Sequence, residues 1–181
     1  MSERPILFSG PMVKAILEGR KTMTRRVVKP QPIDVVKNKG LENSWCAVRL
    51  NGAFPAVCPY GQVGDRLWVR ETWYVENNDD YYPYYKASEE HPEIFPKWRP
   101  SIFMPRWASR ITLEITGVRV EKLQEITEED AMKEGVNWQD TAGLARFTAK
   151  KLFMTLWDSI NGKKYPWASN PWVWVIAFKK L

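Results

Sequence analysis

Histidine occurs once in this chain, at position 91, and cysteine twice, at Cys46 and Cys58. A structural zinc site draws its ligands mainly from Cys and His, so the His-rich and four-cysteine types cannot be assembled. No metal and no other cofactor is expected. The same scarcity excludes Ser-His-Asp chemistry unless His91 lies beside a nucleophile. The two cysteines read first as small buried apolar residues, reduced as in the cytosol, rather than as ligands. No uninterrupted apolar run is long enough to span a bilayer, and the opening Met-Ser-Glu-Arg-Pro lacks the apolar stretch of a signal peptide. The expectation is a cytoplasmic protein with no membrane partner. There is no internal repeat and no low-complexity tract, which excludes solenoid architectures.

What is present is ordinary globular material with a basic bias. The 181 residues are 44% hydrophobic and 27% charged, with a mean hydropathy of -0.44. That length suits one domain over 1–181, elaborated at about 34–63 and 76–109. The net charge is +6 and the isoelectric point about 9.3, so a polyanion such as RNA fits as a partner. The chain's 10 Trp, 7 Tyr and 7 Phe offer flat faces for stacked bases, although aromatics are more often core.

The stretch richest in chemistry is Gly19-Arg20-Lys21-Thr22-Met23-Thr24-Arg25-Arg26. Before it, Val13, Ile16 and Leu17 recur at helical spacing, Pro11 suits a first turn and Gly19 a stop. A short helix therefore delivers Lys21 at its exit. If Thr22 to Val28 runs as a strand, alternation places Thr22, Thr24 and Arg26 on one face, with Met23, Arg25 and Val27 on the other. Lys21, Thr24 and Arg26 can then converge. The same residues also suit a basic surface turn.

Further along, Lys29-Pro30-Gln31-Pro32 leads into a loop, and 34–64 reads as a connection or small hairpin, with a strand over 46–50 and a turn at Asn51-Gly52. Leu67, Val69, Trp73 and Val75 alternate with polar or amphipathic residues as one strand. Glu71 falls on its apolar face, where a carboxylate needs a cation, either from the Lys21–Arg26 cluster or from any nearby Arg. Residues 76–109 form a long excursion in which Trp98, Arg99, Arg106, Trp107 and Arg110 interleave flat and cationic groups. Ile111, Leu113 and Ile115 alternate until Gly117 shifts the phase to Val118 and Val120, the signature of a β-bulge that bends strands into barrels. Trp172 to Phe178 is apolar on both faces, as for a strand between a barrel interior and a helix. Thr127-Glu128-Glu129-Asp130 approximates a capping box, with Ile126 and Ala131 as the staple and Gly135 as the stop. A second helix runs through Ala149, Leu152, Phe153, Leu156, Trp157 and Ile160. Glu134, in the last turn of the shorter helix, opposes the helix dipole. Either a cation such as Lys21 holds it or it frays into solvent.

These residues together resemble the ASCH family, small β-barrels related to PUA RNA-binding domains. Gly19, Lys21 and Arg26 meet its Gly-x-Lys-x-x-x-x-Arg signature, and Leu17 to Thr24 is similar to the Leu-x-Gly-Arg-Lys-Thr-x-Thr stretch of its bacterial N4-acetylcytidine amidohydrolases. Ile126 to Glu134 is similar to the family's Leu-Thr-Glu-x-x-Ala-x-x-Glu helix, and Trp174 to Lys179 to its closing strand. The long middle segments resemble a larger, phage-associated ASCH group. The resemblance implies an α+β fold: a small PUA-like β-barrel of mixed strands with flanking helices and a long loop-rich insertion. It also implies a catalytic set of Lys21, Thr24 and Glu134.

Amide hydrolysis needs a nucleophile, a base for its proton and a donor for the oxyanion or leaving amine. Thr24 suits the nucleophile or a water-positioning hydroxyl, Lys21 the base and Glu134 the relay, with Glu71 a rival for the acidic role. Arg26, Arg25, Glu71, Trp73 and Arg110 are the substrate-binding candidates. The expected substrate is an N4-acylated cytosine nucleoside or a related modified nucleotide. The alternatives are an RNA- or nucleotide-binding module without catalysis and a scaffold for other contacts.

Overall fold

The computed structural model describes residues 1–37, 45–76, 82–95, 97–136 and 148–181. Its centre is a five-stranded mixed sheet in the order β1 (Glu3–Leu7), β6 (Arg66–Arg70), β9 (Thr112–Lys122), β10 (Trp172–Lys180) and β2 (Met23–Val27). β1 and β6 are parallel, and the remaining neighbours are antiparallel. Pro5, which has no N–H for a ladder, lies in edge strand β1. β10 is central, and its alternation is apolar on both sides for a clear reason. Trp174, Ile176 and Phe178 enter one core with Ile6, Leu67 and Ile115, whereas Val173 and Val175 enter a second with helical residues Ala131, Phe153 and Trp157.

α1 (Gly10–Leu17) carries Pro11 in its first turn and buries Val13, Ala15 and Ile16. α2 (Glu128–Lys133) and α3 (Ala149–Asn161) begin at Thr127 and Thr148, whose side chains accept from the backbone N–H groups of Asp130 and Lys151. The expected staple residues Ile126 and Ala131 are both buried. The bulge falls where the phase shift places it: Ala177 opposes Gly117 while Phe178 opposes Ile115, leaving Thr116 unpaired.

The expectation of a barrel is corrected. The five-stranded sheet does not close, because its edge strands β1 and β2 are not laddered to each other. In place of a ladder, the Arg26 guanidinium donates to the Leu7 carbonyl at 2.6 Å. The single strand expected over Leu67 to Val75 is also two strands. β6 ends before Glu71, and β7 (Trp73–Val75) leaves to pair with β8 (Pro83–Tyr85). Alternation nonetheless continues across the break, with Leu67, Val69, Glu71, Trp73 and Val75 all buried. Within 34–63 the chain builds a three-stranded sheet from β3 (Asp34–Lys37), β4 (Trp45–Arg49) and β5 (Gly52–Ala56). The Asn51-Gly52 turn sits between β4 and β5 as expected. Among the described residues no helix is long and apolar enough to cross a membrane.

Candidate functional site

Lys21 is held by backbone on two sides before its side chain is considered. Gly19, at φ +74°, turns the chain out of α1, and the Lys21 N–H donates to the Ala15 carbonyl at 2.9 Å. Lys21 also forms an isolated bridge with Glu134, next to a 2.9 Å bond from the Thr22 N–H to the Lys133 carbonyl. Gly135 makes this approach possible. It sits at φ +87°, and a Cβ there would lie 2.9 Å from the Cβ atoms of both Ala15 and Lys21.

The side chains complete the junction. Lys21 Nζ donates to Glu134 Oε2, to the Glu134 carbonyl and to the Met23 carbonyl, each at 2.8 Å. Both residues are only 3% exposed. Burial holds the Lys21 ammonium below the ordinary lysine value. The Glu134 carboxylate pulls the other way, and Arg26 and Arg25 reinforce the lowering.

Glu134 Oε1 accepts from Arg25 Nη1 at 3.1 Å. Arg25 continues to Glu121 Oε1 at 2.6 Å and Asp130 Oδ2 at 2.9 Å, and Arg119 pairs with the same two carboxylates. Sheet register accounts for this lattice: Arg25, Val175 and Arg119 lie in one row across β2, β10 and β9, on the face covered by helices. Arg25, placed among the substrate-binding candidates by sequence, therefore has a carboxylate at each end of its guanidinium.

A cavity of about 760 Å³ runs along the unpaired edge of β2, taking lining residues from both faces of that strand, Thr24 and Arg26 as well as Arg25 and Val27. Lys21 and Glu134 line it too. Thr24 is buried, and its hydroxyl has no hydrogen-bond partner among the described residues. Arg26 lies over the rings of Phe8 at 5.1 Å and Tyr60 at 5.9 Å, while its buried Nε has no acceptor among the described residues. Burial pulls its guanidinium below the ordinary arginine value. The structure thus brings Lys21, Thr24, Arg25, Arg26 and Glu134 to one cavity.

Glu71, Trp73 and Arg110 are elsewhere. Glu71 is not held by the Lys21–Arg26 cluster. Arg110 grips it with two bonds of 2.9 and 3.0 Å, reaches Ser88 Oγ and covers the Tyr85 ring at 4.0 Å. The physical reason is the strand break, which turns Glu71 toward the segment carrying Ser88, Tyr85 and Arg110. Trp73 is buried with Val75, Met104 and Ala108 under Arg99. None of the three lines the β2-edge cavity. His91 is exposed and contacts Glu93 at 3.1 Å. Among the described residues no cluster of His, Cys, Asp or Glu is arranged to hold a metal ion.

Sequence reasoning missed the two walls of the cavity. One comes from β4 and β5 with the segment after them, including Arg49, Pro55 and Val57, and the other from α3, including Phe153, Trp157 and Ile160. The α3 residues were legible only as a periodic helix face. Nothing local in 46–57 marks it as lining a site.

No family model matches this sequence, and no curated protein matches it. Among solved structures the chain is similar to an ASCH domain. That protein, from Lactobacillus crispatus JV V101, is 14% identical, with 99% of this chain and 79% of that chain covered at a TM-score of 0.46. The likeness assigns no residue a role.

Proposed function

We propose that the chain is an amidohydrolase acting on an N4-acylated cytosine nucleoside or a related modified nucleotide, as its resemblance to the ASCH amidohydrolases implies. One observation carries the reading. The buried Lys21–Glu134 pair and the unpartnered Thr24 hydroxyl line the same cavity.

In this reading the Thr24 hydroxyl, directly or through a water it positions, attacks the acyl carbonyl carbon. Its proton passes to the Lys21 amine, which has handed one of its own to Glu134. Ion pair and neutral pair have the same net charge, so burial opposes this transfer less than it would oppose creating a lone charge. Arg26, a cation on the cavity lining, stabilises the oxyanion. Collapse breaks the C–N bond, and the returning proton leaves with the N4 amine. Where Thr24 is the nucleophile, water then releases the carboxylate from the ester.

Binding without catalysis is the second reading. It is favoured by one fact: all three Lys21 N–H donors are already bonded, as suits a structural ammonium. A panel of N4-acylated cytosine nucleosides and their 5′-monophosphates, assayed for free acid and for the deacylated base, separates the two. The hydrolase reading expects wild-type turnover that Lys21→Ala and Thr24→Ala each reduce at least 1,000-fold, about 4 kcal/mol of barrier, with circular dichroism unchanged. Wild-type release equal to a buffer blank across the panel would end it.

A further inference from the structure

The charge lining the cavity exceeds what the proposed chemistry uses. Its one lining carboxylate among the described residues, Glu134, is already shared by Lys21 and Arg25. Arg26, Lys29 and Arg49 line the same cavity, and none has an ion pair among the described residues. Arg26 is spoken for as the oxyanion donor, so Arg49 and Lys29 remain.

Arg49 is the more informative of the two. It reaches the cavity from the last position of β4, with its guanidinium 5.5 Å from the Phe54 ring on the partner strand β5. Its Nε is buried and has no hydrogen-bond partner among the described residues. Desolvated donors without acceptors are costly and are therefore rare. An arginine fork presented without a carboxylate is matched by a phosphate, whose oxygens accept its parallel N–H groups. Lys29, exposed just beyond the end of β2, supplies a second cation to the lining of the same cavity.

We propose that Arg49 and Lys29 form a phosphate subsite, so that the ligand of this cavity is a pyrimidine nucleoside monophosphate rather than a free nucleoside. The inference rests on the reading of the cavity as a cytosine site and narrows its substrate class. A neutral nucleoside would leave both lining cations unanswered, whereas a phosphate dianion pairs with both. A concave site of this volume suits a small molecule, with the walls of β4–β5 and α3 on either side. The three-stranded sheet thereby gains a purpose, since it is the element that carries Arg49.

Calorimetric titration of the full chain with cytidine and with cytidine 5′-monophosphate tests this directly. The monophosphate is expected to bind at least 10-fold more tightly. Arg49→Ala and Lys29→Ala should each lower that ratio by about 10-fold or more. Raising salt should weaken the monophosphate alone. Equal affinities for the two ligands, no binding of either, or a ratio unchanged in both variants would overturn the subsite. A single-stranded oligonucleotide lacking terminal phosphate that outcompetes the monophosphate would overturn it in favour of a polymer. The two readings also fail separately. Hydrolysis of N4-acetylcytidine with no phosphate preference removes the subsite and leaves the hydrolase. Selective monophosphate binding without hydrolysis of any N4-acyl substrate does the reverse.

Discussion

A buried ion pair contributes stability only when every donor and acceptor in it is used, because its desolvation cost is several kcal/mol per ion. Lys21 and Glu134 meet that condition. The ammonium has three acceptors, and each carboxylate oxygen has its own cation. The two ends are not equivalent. Without Lys21 the Glu134 carboxylate keeps Arg25 at 3.1 Å, but without Glu134 the Lys21 ammonium loses its only charged partner among the described residues. Glu134→Ala is therefore expected to destabilise by about 3–5 kcal/mol and Lys21→Met by less. Urea denaturation checks the order, and a larger loss for Lys21→Met would show that Arg25 does not hold the carboxylate. This pair was half legible beforehand. Glu134 stood out because a carboxylate in a last helical turn needs a cation, yet nothing within either segment told which cation supplied it.

At the scale of elements, α2 is tied to the sheet by charge as well as by Ala131. Partial burial pushes the Asp130 carboxyl up, but its bond from Arg25 and the nearby Arg119 outweigh that and hold it below the ordinary 3.8. A carboxyl depressed in the folded state stabilises fully above its unfolded value and loses that contribution as pH falls through the folded one. The contribution of Asp130 to the α2–sheet lattice should thus be intact in mild acid and fade only as pH falls below its ordinary 3.8. In Arg119→Ala the Asp130 value moves back up, so the acid limb of a urea-midpoint profile between pH 6 and pH 2 should shift to higher pH. Superimposable acid limbs would contradict the coupling. Helix caps, the Gly117 bulge and the two-sided burial of β10 were all readable, because each is written in neighbours within a few residues. The lattice was not. Arg25, Arg119, Glu121 and Asp130 meet through strand order and register, and alternation within one strand says which face a residue takes but not which strand lies beside it. The same limit hid the break after β6: Glu71 keeps the phase of a continuous strand while the chain turns to another partner.

Over the whole molecule, the open edge between β1 and β2 matters most. As built, Arg26 reaches the Leu7 carbonyl instead of a ladder, and β4–β5 and α3 contribute to the lining of the cavity beside Thr24. Part of the basic excess of the composition lines this cavity, through Arg26, Lys29 and Arg49. Composition states the sign of the charge, but the cavity itself forms only where segments around 8–60 and 134–174 meet.

The central claim is that Lys21, Thr24 and Glu134 act as one catalytic unit. A double-mutant cycle on acetate release from N4-acetylcytidine, comparing wild type, Lys21→Ala, Thr24→Ala and the double variant, tests it most directly. The account predicts that the double variant is no slower than the slower single one, since either loss already disables the unit. Losses that multiply would contradict it, as would a wild type no faster than buffer.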